Sequence, residues 1–294
     1  MLRRMNPKSF AVLLSLGVLS SAAFGQRPEL NTIMMNSTFM VDGKTAEGIP
    51  SSGTCFILGS PMKDNPAKLR FVLITAKHLL ANIAQDVATV HLRKKEKDGA
   101  FSELPFPLTI RNAGRELWTT HPDKEVDIAV MRVSLPTDAY LELASTDLLA
   151  NDAMLQRLEV HPGDELFCLG YPFGLTANTA GFPILRSGRI ASYPILPTTN
   201  TKTMLFDFSV YPGNSGGPVY FVQSGRYYES SFHAGTTNYF IAGLVSEYKG
   251  LETRTNLPFH FSKDSIPLNL GVVVHASLIK ETIARLPEDV TASP

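Results

Sequence analysis

The sequence predicts an all-β chain arranged as one or two antiparallel barrels, with a helix at its C-terminal end. Three observations carry this. From Ile33 onward, short runs rich in Val, Ile, Phe and Thr follow closely on one another, each cut off by Gly, Pro, Asn or Asp. Helical periodicity is confined to a few stretches, which excludes an alternating βαβ chain. Of the 294 residues, 44% are hydrophobic, so a large core forms without a metal or disulfide staple.

In chain order, strands are expected at 33–41, 53–58, 71–75, 87–92, 106–110, 116–120 and 127–133. A second set is expected at 165–170, 184–192, 204–209, 218–222, 240–246 and 268–275. The stretch 134–165 carries Pro136 and Pro162 and no strand pattern, so it links the two sets. Residues 77–84 read as one or two helical turns after a strand, and 138–155 as helical in part. Leu278, Ile279, Ile283 and Leu286 recur at helical spacing, which places a C-terminal helix against the second set of strands. Residues 200–202 and 224–238 read as exposed loops.

The N-terminus reads as a cleavable secretory signal. Arg3, Arg4 and Lys8 precede an apolar, small-residue run at 9–24, and Ala23-Phe24-Gly25 offers small side chains where a signal peptidase reads. The run is shorter than the ~20 apolar residues needed to span a bilayer. The expected division is therefore a signal at 1–25, an N-terminal barrel at 26–145 and a C-terminal barrel with its helix at 146–294. The mature chain is expected to be secreted or periplasmic, with no membrane anchor.

Charge narrows the partners. Lys+Arg and Asp+Glu are both 27, so no net positive field draws a polyanion, and nucleic acid is excluded as a partner. The one dense cluster, Arg93-Lys94-Lys95-Glu96-Lys97-Asp98, is mixed in sign and reads as a solvated hairpin tip. No HExxH, CxxC or EF-hand pattern is present, and no cofactor or metal is expected. Cys55 and Cys168 are the two cysteines. They bridge only if their Cα atoms lie within ~7 Å, and otherwise serve as small buried hydrophobes.

Three segments carry chemistry. Ile74-Thr75-Ala76-Lys77-His78 is a buried strand ending in a histidine. Val126-Asp127-Ile128-Ala129-Val130 opens a strand with an aspartate. Tyr211-Pro212-Gly213-Asn214-Ser215-Gly216-Gly217-Pro218 sets a serine in a glycine-rich turn. A serine hydroxyl is a weak nucleophile at neutral pH and needs a base within hydrogen-bond reach. Histidine takes that proton and returns it to the leaving group, and a buried carboxylate holds the histidine in its useful tautomer. Gly213 lets the backbone turn so that the N–H groups of Gly213 and Ser215 point into one hole. One such oxyanion donor is typically worth ~3–4 kcal/mol. Gly216 and Gly217 leave room for a substrate backbone.

TAKH, DIAV and GNSGGP, in that order, resemble the motifs of bacterial exported trypsin-like, chymotrypsin-fold serine peptidases, over roughly residues 31–285. The resemblance implies two six-stranded antiparallel barrels with a cleft between them, and an endopeptidase acting on protein or peptide substrates. It assigns His78, Asp127 and Ser215 as the triad, and Ser246 of Gly243-Leu244-Val245-Ser246 as the hydroxyl supporting the aspartate. It also places Ser209 at the base of the primary pocket, with Tyr248 and Gly271 on its walls. Ser209 is neither acidic nor aromatic, so a preference for Lys or Arg is not implied. Asn214 cannot make the N-terminal ion pair that activates the animal digestive branch. One rival is a catalytically silent peptide-binding relative on the same fold. The other is an α/β-hydrolase esterase, which would need the order Ser, acid, His, with His275 as base.

Overall fold

The computed structural model describes residues 29–62, 65, 68–257 and 260–287, with side chains described outside 248–268. The expected signal at 1–25 lies outside these residues. Helix α1 (Leu30–Ser37) leads into strands β1 (Thr38–Lys44), β2 (Pro50–Pro61) and β3 (Leu69–Thr75). Helix α2 (Lys77–Asn82) follows, then β4 (Val87–Lys95), β5 (Phe101–Thr109), β6 (Arg111–Asn112), β7 (Arg115–Glu116), β8 (Thr119–Thr120) and β9 (Ala129–Val133). A short 3-10 turn at Thr146–Leu148 and helix α3 (Asp152–Arg157) separate these from β10 (Glu165–Gly170), β11 (Ile184–Ile190) and β12 (Thr203–Asp207). Strands β13 (Pro218–Tyr228), β14 (Ser231–Leu257) and β15 (His260–His275) and helix α4 (Ala276–Ile283) complete the chain.

The strands form two antiparallel units. The first is a seven-stranded sheet in the order β5-β4-β1-β2-β3-β9-β8; the second is a closed six-stranded barrel, β10-β11-β12-β15-β14-β13. The first unit carries seven strands rather than six because Thr119 and Thr120 add a short rung beyond β9. Central strands β2 and β3 are buried over most of their length, with Phe56, Ile57, Leu58, Val72 and Ile74 fully enclosed. The linker touches both units in turn. Gly59 of β2 bridges Ser145, and Leu149 bridges Ile241 of β14.

Several expectations need correction. The stretch 33–41 is not one strand. Leu30, Ile33, Met34 and Ser37 lie one helical turn apart, and α1 packs this face on β2 and β13 before the chain extends at Thr38. Residues 224–238 are not a loop: β13 and β14 continue pairing through Tyr228↔Ser231. Arg93 is not at a solvated tip. It is fully buried between the rings of Phe39 and Phe182, and its guanidinium donates to the carbonyls of Met35, Thr38 and Gly181 and to the Tyr171 hydroxyl. The tip itself, between β4 and β5, lies where expected. Cys55 and Cys168 are both buried and free, and burial pushes the Cys168 thiol up to about 12. Helix α4 packs on β14 and β15 as expected, and also on β8 and β9 of the first sheet.

Candidate active site

The three chemistry-bearing segments meet where the two units face each other. His78 is the second residue of α2, directly after buried strand β3 delivers Thr75 and Ala76 to the sheet edge. Asp127 lies just before β9, which pairs with β3 through Thr75↔Ala129. That register brings aspartate and histidine side by side. His78 Nδ1 is 2.7 Å from Asp127 Oδ2, and the His78 backbone N–H donates to Oδ1 at 2.9 Å. The Ser246 hydroxyl donates to Asp127 Oδ2 at 2.6 Å. Burial pushes the Asp127 carboxyl up, but the His78 ring, the Ser246 hydroxyl and the His78 amide outweigh it and hold the group below its ordinary value.

The tautomer follows from this geometry. An ionised carboxylate only accepts, so in the neutral ring Nδ1 carries the proton and Nε2 the lone pair. The His78 side chain is 41% exposed, which leaves the ring open to the cleft.

The Ser215 turn is fastened to both units. Gly216 N–H donates to Val245 O at 2.7 Å, and Val245 N–H returns a bond to Gly217 O at 2.9 Å. Ser246 is the next residue, so two consecutive positions of β14 hold the serine turn and the aspartate. From the first unit, Thr54 N–H donates to Ser215 O at 2.9 Å. Gly216 adopts φ +85°, and a Cβ there would lie 2.0 Å from Thr54 O and 3.0 Å from Ala76 N, two residues before His78. Gly213 adopts φ +98°, and a Cβ there would lie 2.1 Å from Tyr171 O. The glycines of this turn are therefore required by close backbone approach.

Both candidate oxyanion donors are oriented by their own peptide units. Pro212 O accepts from Phe173 N–H at 2.6 Å, and Asn214 O accepts from Gly217 N–H at 2.9 Å. In a trans peptide N–H and C=O point opposite ways, so Gly213 N–H and Ser215 N–H are turned away from these tethers.

The residues assigned to the primary pocket also come together. Gly271 pairs with Tyr248 in register, and a Cβ at Gly271 would press on Val210 and Phe208, the neighbours of Ser209. The Ser209 hydroxyl donates to Asn269 Oδ1 at 3.1 Å. The Tyr248 side chain lies outside the described residues. A cleft of about 420 Å3 opens beside His78, lined among others by Lys77, Trp118, His121 and Lys124. Asp123, an acid four residues before Asp127, forms a part-exposed ion pair with Lys202. His275 is buried and has no hydrogen-bond partner on either ring nitrogen among the described residues, so it is not a base for Ser215. Thr54 falls in the strand expected at 53–58, but its role depends on a contact with Gly213, 159 residues away in sequence.

The sequence model of the trypsin-like peptidase domain matches residues 53–227. The chain belongs to the trypsin-like peptidase family. The matched span holds all three chemistry-bearing segments of this peptidase domain, whereas Ser246 and Gly271 fall beyond it. No curated protein matches the sequence. Among solved structures, the chain is similar to the protease Anisep from Arthrobacter nicotinovorans, at 12% identity, covering 84% of this chain and 93% of that one, with a TM-score of 0.48. It is also similar to the thermostable serine protease AL20 from an extremophilic microorganism, at 12% identity, covering 84% and 95%, with a TM-score of 0.46. Among the described residues no helix is long and apolar enough to cross a membrane, and no group of three or more His, Cys, Asp or Glu is placed to hold a metal.

Proposed function

We propose that the chain is an exported serine endopeptidase in which Ser215 is the nucleophile, His78 the general base and Asp127 the orienting acid. The observation that carries this reading is the Asp127 carboxylate. It takes three donors, two of them from His78, and so presents the imidazole in one tautomer with Nε2 free. In the reaction, His78 Nε2 takes the Ser215 proton as Oγ attacks the scissile carbonyl, and passes it to the departing amine. Asp127 stabilises the imidazolium formed between these steps. Gly213 and Ser215 N–H groups bind the oxyanion, and water repeats the sequence to release the acyl group. The uncharged Ser209 side chain, with the Arg186 guanidinium donating to the Ser209 carbonyl at 2.7 Å, supports cleavage after small or medium uncharged residues, since a buried unpaired cation would be strongly penalised.

Fluorophosphonate labelling and a peptide library test this together. The mature chain is expected to label on Ser215 and to cut peptides, and Ser215→Ala is expected to lose labelling and at least about 10³-fold in turnover. Labelling of another serine would overturn the nucleophile. A profile dominated by Arg or Lys would overturn the pocket assignment. Binding without turnover would favour the silent relative.

A further inference from the structure

We infer that Thr54 is a positioning residue whose hydroxyl holds the oxyanion turn in its working shape before substrate arrives. The inference rests on the peptidase reading above. Thr54 is fully buried in β2, on the opposite unit from the turn. Its Oγ1 lies 2.7 Å from Gly213 O and 3.3 Å from Tyr171 N. The direction of both bonds is forced. The Tyr171 amide only donates and the Gly213 carbonyl only accepts, so the single hydroxyl proton goes to Gly213 O while a lone pair takes Tyr171 N–H. Thr54 N–H meanwhile donates to Ser215 O, and the Thr75 hydroxyl donates to Thr54 O at 2.7 Å, which fixes Thr54 itself.

These bonds enclose Gly213. The peptide unit before it is held by Phe173 N–H on Pro212 O, and the unit after it by Thr54 Oγ1 on Gly213 O and by Asn214 N–H on Tyr211 O. Tyr171 and Phe173 belong to the same turn, so the hydroxyl joins both tethers at one point. Glycine has no side chain to restrain it, and at φ +98° its flanking peptides are held only by such bonds. Asn214 offers no charge for an ion pair with a newly cut N-terminus, and its buried Oδ1 has no hydrogen-bond partner among the described residues. Thr54 thus supplies from inside the fold the restraint that such an ion pair would give.

The test compares Thr54→Val and Thr54→Ala, which lack the hydroxyl, with Thr54→Ser, which keeps it. Sites are first counted by fluorophosphonate titration, so kcat refers to folded, competent molecules. Loss of a whole oxyanion donor costs roughly 10²–10³ in kcat. T54V and T54A are expected to lose about tenfold to 10²-fold in kcat per titrated site, with KM changed less than about threefold, and T54S to stay within about threefold of the parent. Affinity for a peptide boronate, whose tetrahedral adduct places an oxygen in the hole, is expected to fall in step with kcat. Unchanged kcat per site in T54V and T54A would overturn the inference, and so would a T54S loss as deep as that of T54A. Failure of the unmodified chain to label on Ser215 would instead overturn the peptidase reading itself, before any Thr54 variant is compared.

Discussion

Asp127 and Asp123 sit four residues apart, and their surroundings give them different work. Asp127 is half enclosed and spends its carboxylate on His78 and Ser246. Asp123 is part-exposed and paired with Lys202, a solvent-screened interaction that contributes little. Asp127→Asn is expected to lower kcat by about 10⁴, because an amide at that position no longer enforces the Nδ1-protonated tautomer. Asp123→Asn is expected to change it by less than about threefold. Steady-state kinetics on the two variants decides between the acids, and the reverse ranking would refute the assignment. Because the Asp127 carboxyl is held below its ordinary value of 3.8, its stabilising contribution is fully present above that pH and disappears only below it.

At the scale of elements, the strand pattern and the three motif segments were legible because they are local: a period of two, a turn glycine, a histidine at a strand end. What was not legible depends on partners distant in sequence. Arg93 sits in a run of charges that reads as solvent-facing, yet β4 turns it inward to meet carbonyls from α1, β1 and the loop at Gly181. A helix of two turns such as α1 is too short for its period to stand out from a strand, and the β13–β14 extension is rich in Ser, Gly and Thr that read as loop. Arg93 therefore acts as a joint between elements, and its planar fork matters more than its charge. Arg93→Lys is expected to leave several of these buried acceptors unpaired, at ~1–3 kcal/mol each, lowering the urea midpoint with an unchanged m-value. A midpoint equal to that of the parent would show that the joint contributes nothing.

Over the whole molecule, pH sensitivity centres on His275, a buried ionisable group outside the candidate active site. It ends β15 and immediately precedes α4, the helix that packs on β14 and β15 of the barrel and on β8 and β9 of the first sheet. Loosening at this point therefore reaches both units. The ring is 1% exposed and borders a cavity of about 10 Å3 walled by Leu155, Leu166, Ile190, Met204 and Phe240. Neither ring nitrogen has a hydrogen-bond partner among the described residues. Burial pushes its pKa down to about 4, against a weaker pull upward from Asp152. The sign follows directly. Unfolded, the imidazole takes a proton near its ordinary value of 6.5; folded, it resists until about 4, so between these values the unfolded chain binds more protons. The stability is full above pH 6.5 and declines as pH falls toward 4, by roughly 3 kcal/mol across the span. For a chain of this size that corresponds to a fall in Tm of roughly 6–12 °C. His275→Leu removes the titrating group and is expected to flatten the Tm profile between pH 6.5 and 4, whatever its offset at neutral pH. Thermal melts of parent and variant across this range decide the matter. Parallel profiles would place the acid sensitivity elsewhere. Asp127 would not be its source in that range, since its contribution is lost only below 3.8.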